Sequence, residues 1–321
     1  MTEALLIGGL VGTILAPRAL PLERVRPMTA ASVWLAALTL RALVAVGGAI
    51  FLFLYLPEAG VVKAIGDWCW HQLAPILPEL FGFVGHRASH ATIALPALAL
   101  AVSVLWLLFG LARAWFALRR KLGAAIGEGP LGSLIVPDER ILVAVTRIGR
   151  GRIVVSDRAL GEMDEAELAA SLNHELGHIH RRHRPLLVAG SVLRALGRPL
   201  PGTRAVEARL ILSLERDADD YAVARTSDPL ALASAICKAA GVTPSPLLTA
   251  LGSGGAVTVR LRYLLDGTEP DRPGLERLAR VLAALLASAA LALAVALPAW
   301  ALASPQAAHA IANSDLCHHT H

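Results

Sequence analysis

Two histidines four positions apart, His174 and His178, form the most specific chemical pattern in this chain. On an α-helix, side chains at positions i and i+4 lie one above the other, so both imidazoles can reach one zinc ion at about 2.0–2.1 Å. Glu175 follows the first histidine, and its carboxylate can take a proton from a water molecule beside the metal. The segment His-Glu-Leu-Gly-His therefore predicts a zinc site with a general base.

Two acids further along the chain complete this predicted site. Glu215 and Asp219 are again four positions apart, in a helix expected over about residues 204–225. A catalytic zinc site takes three protein ligands and keeps one position open, so Glu215 is the expected third ligand. Asp219 is expected to accept the free N–H of a ligating histidine. The alternative is that both acids are solvated charges on an amphipathic helix.

The sequence also predicts the elements that position these residues. Residues 152–156 (Arg-Ile-Val-Val-Ser) are rich in β-branched side chains and predict a strand. Asp164, with Glu167 three positions later, is a capping box that starts the helix carrying the histidines. Cys237 is expected to be a small buried core residue. Residues 243–255, rich in Pro, Gly and Ser, predict a loop.

The composition is that of a membrane protein. Of 321 residues, 55% are hydrophobic and 17% are charged, and the mean hydropathy is +0.57. Soluble chains carry roughly 45–50% apolar and about 25% charged residues, so a disordered chain is excluded. The three cysteines form no CxxC pair, which excludes a zinc ribbon and a disulfide-rich fold. The net charge of +5 forms no dense patch, so direct nucleic-acid binding is not expected.

Four segments are apolar enough to cross a bilayer, which takes about 20 helical residues. They lie at about residues 4–16, 31–56, 91–111 and 281–303. The first segment alone could be a signal peptide. Glu3 precedes it, however, where a signal peptide carries positive charge, so a retained helix is the favoured interpretation.

Lysine and arginine residues predict the orientation of these segments. They concentrate in the loop after the first segment, after the third and before the fourth, and they are few or absent in residues 57–90 and 304–321. Because cytoplasmic loops carry the excess of positive charge, both termini and the loop 57–90 are expected outside the cell. The predicted fold class is a mainly α, polytopic membrane protein with a cytoplasmic helical zincin domain that carries a short strand region. Its parts are a membrane domain over residues 1–120, a peptidase domain over 121–280, a fourth helix over 281–303 and the outer tail.

Three further residues allow two interpretations each. Arg41 lies inside the second apolar segment, where it either snorkels to the cytoplasmic surface or makes an inter-helix contact used in signalling. Cys69 and Cys317 both fall on the expected outer side, where they are either bridged by a disulfide or unrelated. The histidines around them, in the loop and the tail, leave an outer metal site open as a further alternative.

Four stretches together resemble the integral-membrane gluzincin peptidases: residues 152–156, the His-Glu-Leu-Gly-His helix, the Glu-Arg-Asp-Ala-Asp segment from Glu215, and residues 260–264 (Arg-Leu-Arg-Tyr-Leu). Three helices before the peptidase domain and one after it resemble the BlaR/MecR-type antirepressor peptidases of actinobacterial type. The spelling of the histidine motif is equally typical of the related HtpX and CAAX-processing peptidases. The resemblance is specific only over about residues 150–265.

The resemblance implies a zinc metalloendopeptidase with one Zn²⁺ bound by His174, His178 and Glu215. Glu175 would be the general base. Asp219 would accept the N–H of a histidine ligand, on the ring nitrogen that does not bind the metal. Arg260 would either stabilise the transition-state oxyanion or tie the domain together through ion pairs. The protein substrate would be a cytoplasmic transcriptional repressor or the chain itself, cleaved at the plasma membrane.

Two alternatives to regulated proteolysis remain at this stage. One is quality-control proteolysis of membrane proteins in the manner of HtpX. The other is a receptor that binds zinc without turnover, although an intact Glu175 argues against it because zinc binding does not require that residue.

The sequence departs from the resembled family at two places. Many members have an acid five residues after the second histidine, whereas this chain has His183. We interpret His180 and His183, in their basic stretch, as the solvated end of a helix. The tail 304–321 is too short for a penicillin-binding sensor domain, so direct β-lactam sensing is not expected.

Overall fold

A computed structural model describes residues 19–55, 125–139, 143–145, 153–240, 255–266 and 273–303, and parts of 15–17, 101–123 and 141. Most of the first predicted span, the outer loop with Cys69, nearly all of the predicted loop 243–255 and the tail with Cys317 lie outside the described residues. The described part is mostly helical and carries one small sheet. The predicted mainly helical class with a short strand region is thereby confirmed.

The sheet has four short strands. They are β1 (Gly127–Glu128), β2 (Leu134–Val136), β3 (Val143–Val145) and β4 (Ile153–Ser156). The spatial order is β1-β2-β4-β3, and β4 pairs in parallel with β2 and antiparallel with β3. All of β4 is buried, as its run of β-branched residues predicts for a central strand. Among the described strands, β3 is an edge.

Eight helices are described with complete bounds. They are α1 (Pro27–Tyr55), α2 (Asp157–Glu162), α3 (Glu165–His180), α4 (His183–Leu196), α5 (Thr203–Thr226), α6 (Pro229–Ala239), α7 (Ala256–Asp266) and α8 (Pro273–Ala303).

The start of α3 is fixed by the predicted capping box. The Asp164 carboxylate accepts the backbone N–H of Glu167 at 2.8 Å, and the Glu167 carboxylate accepts the backbone N–H of Asp164 at 2.9 Å. Glu167 also accepts from Ser234 and Lys238 on α6. These contacts tie α6, with its buried Cys237, to the first turn of the histidine helix.

Helix α3 has two faces with different partners. Leu172, Leu176 and Ile179 pack with Val155 and the rest of the sheet. The opposite face meets α5, and the closest approach is at Gly177, where an added Cβ would lie 3.2 Å from the Cα of Ala218. The glycine therefore sets the distance between the helix that carries the histidines and the helix that carries the acids.

Within the described part of the chain, two helices are long and apolar enough to cross a membrane, judged by length and composition. These candidate spans are Pro27–Ile50 on α1 and Pro273–Ala299 on α8, and they overlap the predicted segments 31–56 and 281–303. The window on α1 is 50% buried within the protein, whereas that on α8 is 11% buried. The third predicted segment is described only as the shorter apolar helix Ala101–Gly110.

Helices α1 and α8 run parallel to each other. Near their N-terminal ends, Thr29 donates to Glu276 at 2.6 Å. Further along both helices, Gly47 lies against the side chain of Leu297. Helix α1 also packs against α5, so the helix that carries the acids shares one apolar core with both candidate spans.

Arg41 makes a contact between elements. Its side chain is 2% exposed, Nε donates to the Thr203 hydroxyl at 3.2 Å, and the guanidinium donates to the carbonyl of Pro201. The interpretation of Arg41 as a residue that snorkels to the surface is therefore wrong. The N-terminal end of α5 lies beside the middle of α1 and, with the carbonyl of Pro201 just before it, supplies the polar partners of Arg41.

We predict that Gly177→Ala destabilises the protein by about 1–3 kcal/mol, because the new methyl group meets the backbone of α5 and forces the helices apart. Gly161→Ala on α2 is the matched control, since nothing lies within 4 Å of that position. Thermal unfolding of the two purified variants checks this. Equal melting temperatures would contradict the close contact.

Candidate metal centre

Three of the predicted site residues meet between α3 and α5. The Nε2 atoms of His174 and His178 are 3.2 Å apart. Glu215 places one carboxylate oxygen 3.4 Å from the first of these atoms and the other oxygen 3.5 Å from the second. One donor atom from each residue thus lies within 4.8 Å of the others, so the group can hold a metal ion.

The spacing and chemistry of these donors fit zinc. Four ligands at about 2.0–2.1 Å in a tetrahedron lie about 3.3–3.4 Å from one another. The three separations, 3.2, 3.4 and 3.5 Å, bracket that value. Two imidazole nitrogens and one carboxylate oxygen are also a donor set that catalytic zinc sites use.

The pKa values of the two histidines shift in opposite directions. Burial lowers the pKa of His174, but hydrogen bonds to Asp219 and Glu215 outweigh it and raise the pKa to about 9. At His178, burial and the neighbouring charge of His174 lower the pKa to about 4. The carboxylates beside His174 thus favour positive charge at the site, which a bound metal ion would supply.

Asp219 supports His174 from the side opposite Glu215. Its carboxylate is fully buried and lies 2.8 Å from Nδ1 of His174. The Nδ1 side of the ring thus faces Asp219, and Nε2 faces His178 and Glu215. Asp219 therefore lies beside one of the two histidines, and its role as a hydrogen-bond acceptor for that histidine stays a prediction.

Arg260, on α7, bridges the two acids of α5. It donates to both carboxylate oxygens of Asp219, at 2.6 and 2.9 Å, and lies 2.9 Å from Glu215. Burial raises the pKa of Glu215, but the hydrogen bond and charge of His174, with the charge of Arg260, lower it to about 2. Of the two roles considered for Arg260, the ion pairs are present in the structure.

Glu175 is half-buried, on the turn of α3 between the two histidines. Its charge acts on Arg184, at the start of α4, and on Arg260. The carboxylate therefore lies within the electrostatic reach of the arginine that holds Glu215.

His183 is the site residue that the sequence analysis misassigned. It is fully buried, and its Nδ1 lies 2.9 Å from Nδ1 of His178. Its Nε2 lies 3.0 Å from Asp217, which also pairs with Arg181 at 3.1 Å. The expectation of a solvated helix end is wrong for His183, although His180 is exposed.

The reason for this error is a backbone turn. Helix α3 ends at His180, and Arg182 adopts a left-handed conformation (φ 53°, ψ 42°) that starts α4 in a new direction. The turn carries His183 back towards His178. Asp217 was the signal in the sequence that could have predicted the burial of His183. It lies on the face of α5 opposite Glu215 and Asp219, where a carboxylate needs a buried partner.

The comparisons with known proteins concern the first half of this site. The model of Peptidase family M48 matches residues 144–209, which include β4, α3 and the segment from His174 to His178. No curated protein and no solved structure matches the chain. The match supports a metal-dependent peptidase of that family, and it ends before Glu215.

We predict that Arg260→Gln destabilises the metal-free protein by about 3–5 kcal/mol, because it removes the arginine that pairs with both the buried Asp219 carboxylate and the partly buried Glu215 carboxylate. Arg262→Gln, at an exposed position on the same helix, is the control. Chemical unfolding in the presence of a chelator measures the difference. If Arg260→Gln unfolds at the same denaturant concentration as the control, the ion pairs do not stabilise the fold.

Proposed function

We propose that this chain is a membrane-anchored, zinc-dependent endopeptidase. The convergence of His174, His178 and Glu215 at zinc-ligand spacing carries the proposal. The match of residues 144–209 to Peptidase family M48 supports it independently.

Each residue of the site has a separate task in this proposal. His174, His178 and Glu215 hold one Zn²⁺, which when bound supplies Lewis-acid polarisation of the scissile carbonyl and lowers the pKa of a water molecule. Glu175 accepts a proton from the attacking water at a carboxylate oxygen and returns it to the leaving amine nitrogen. Asp219 holds the proton of His174 on Nδ1, and Arg260 keeps Glu215 ionised.

The sheet supports a peptide as the substrate class. Strand β3 is an edge among the described strands and packs against α3, the helix with the general base. The free side of an edge strand can pair with an extended peptide through main-chain hydrogen bonds. Such a peptide would lie lengthwise along the site instead of entering it end-on. An endopeptidase requires this arrangement, because it cleaves a bond within the chain.

The apolar helices support a multi-pass plasma-membrane location. The outward side of α8 carries a row of exposed apolar side chains: Leu278, Val281, Leu285, Leu291 and Val295. Lipid is the partner that suits this surface. In the proposed topology, the domain over residues 121–280 is cytoplasmic and both termini are outside, so α1 and α8 must cross in the same direction. Their parallel packing supports that arrangement.

The biological role that we propose is regulated cleavage of a cytoplasmic repressor or of the chain itself. The supporting observation is the packing of α1 directly on α5, through Leu38, Leu210 and Leu214 in one cluster. A displacement of α1 would reach the helix that carries Glu215 without an intervening element. We do not propose contact with nucleic acid.

We predict that Glu175→Gln lowers the cleavage rate by about 10²–10⁴-fold and leaves zinc bound, because the amide keeps the shape of the side chain but takes no proton. His174→Ala and Glu215→Ala are expected to lose the metal and the activity together. Glu165→Gln, exposed in the first turn of the same helix, is the control. Elemental analysis and proteome-wide mapping of new peptide N-termini give the two measurements. Equal zinc loss in the Glu175 variant would contradict the assigned roles.

The proposed topology predicts the outcome of reporter fusions at four positions. Fusions near residues 65 and 315 are expected to report the outer side, and fusions near 130 and 240 the cytoplasm, because positive charge is retained inside. An alkaline phosphatase reporter, active only outside, measures this against a cytoplasmic fluorescent reporter. Phosphatase activity at position 240 would place the site on the outer side and contradict cleavage of a cytoplasmic repressor.

A further inference from the structure

We propose that His183 is a positioning residue for the metal site, which holds His178 in the tautomer and orientation that metal binding needs. The inference rests on the proposed function in one respect, that His178 is a metal ligand. The contacts that carry it are the two hydrogen bonds of the buried His183 ring, to His178 and to Asp217.

The direction of these hydrogen bonds follows from the chemistry of the ligand. To bind a metal, Nε2 of His178 must carry a lone pair, so the ring proton must lie on Nδ1. That Nδ1–H points at Nδ1 of His183, 2.9 Å away, which must therefore accept. His183 then carries its own proton on Nε2 and donates it to Asp217, 3.0 Å away.

Asp217 ends this series of hydrogen bonds, because an ionised carboxylate can accept hydrogen bonds but cannot donate them. Its other carboxylate oxygen accepts from Arg181 at 3.1 Å, so the carboxylate is held between two donors. Asp217 is 3% exposed and His183 is fully buried, which leaves water little access to compete for these bonds. With a metal ion on Nε2 of His178, the order Arg181, Asp217, His183, His178 has one assignment of donors and acceptors.

The two histidine ligands are therefore supported by different means. Nδ1 of His174 lies directly against a carboxylate, 2.8 Å from that of Asp219. His178 donates to a neutral imidazole, and the carboxylate of Asp217 stands one residue further back. His183 thus occupies the place where an acid would contact the ligand directly, and Asp217 restores the negative charge behind it.

Zinc affinity of the full-length protein in detergent, measured by competition with a chromophoric chelator, tests the donor and acceptor roles of His183. We expect His183→Leu to bind Zn²⁺ about 10–100-fold more weakly. His183→Gln keeps one acceptor and one donor on an amide and is expected to recover most of the affinity. His180→Gln, on the exposed histidine, is the matched control. Unchanged affinity in His183→Leu, or equal losses in the Leu and Gln variants, would overturn the proposal.

A second pair of variants tests the relay without altering either histidine. In Asp217→Asn, Arg181 still donates to the amide oxygen, so the amide N–H₂ faces His183 and reverses both tautomers. We expect a loss of zinc affinity of about 10–100-fold. Adding Arg181→Gln frees the amide to turn its oxygen towards His183, and the double variant is expected to bind zinc more tightly than Asp217→Asn alone. Additive losses would overturn the relay.

The same measurements separate this inference from the proposed function. Zinc binding that depends on His183, in a protein that cleaves nothing, would reject the endopeptidase and support the positioning role. Cleavage activity in a protein whose zinc affinity does not depend on His183 would support the endopeptidase and reject the positioning role. A wild-type chain that binds no zinc would overturn both. Melting temperatures of the metal-free variants identify any that lose affinity only because they unfold.

Discussion

The architecture of this protein depends on three carboxylates within five residues of one helix, two of them buried and one partly buried. Glu215, Asp217 and Asp219 all lie on α5, and the last two are almost fully buried. A buried ionised carboxylate is costly unless cations or hydrogen-bond donors surround it. Glu215 and Asp219 share one face of the helix, and Asp217 lies about 200° around the axis from Glu215. The helix therefore needs positive charge and donors on two opposite sides.

The neighbouring helices supply this positive charge and these hydrogen-bond donors on both sides of α5. On one side, α7 brings Arg260 to Glu215 and Asp219, and α3 brings the imidazole of His174. On the other side, the turn between α3 and α4 brings Arg181 and His183 to Asp217. The metal site and its supports are thus parts of one scheme of charge compensation, centred on α5.

Local patterns predicted the helix start and the residues that converge at the site, whereas the burial of His183 and the partners of Arg41 were not predictable from such patterns. The capping box of Asp164 and the i, i+4 pairs depend on residues within one helical turn, so the sequence contains all of their determinants. The burial of His183 depends on the left-handed turn at Arg182 and on a carboxylate from α5. The partners of Arg41 likewise come from the remote segment that starts α5, which hydropathy alone does not reveal.

Two independent observations support the candidate metal centre: the family match and the geometry of the site. They concern different residues. The family match covers α3 with its histidines and ends at residue 209, before the acids. Glu215, Asp219 and Arg260 are connected to the histidines by geometry alone, through distances of 2.6–3.5 Å. A chance likeness in α3 would not require an acid from another helix at ligand distance, nor a buried arginine to hold that acid ionised. A metal centre accounts for both the family match in α3 and the position of these two side chains.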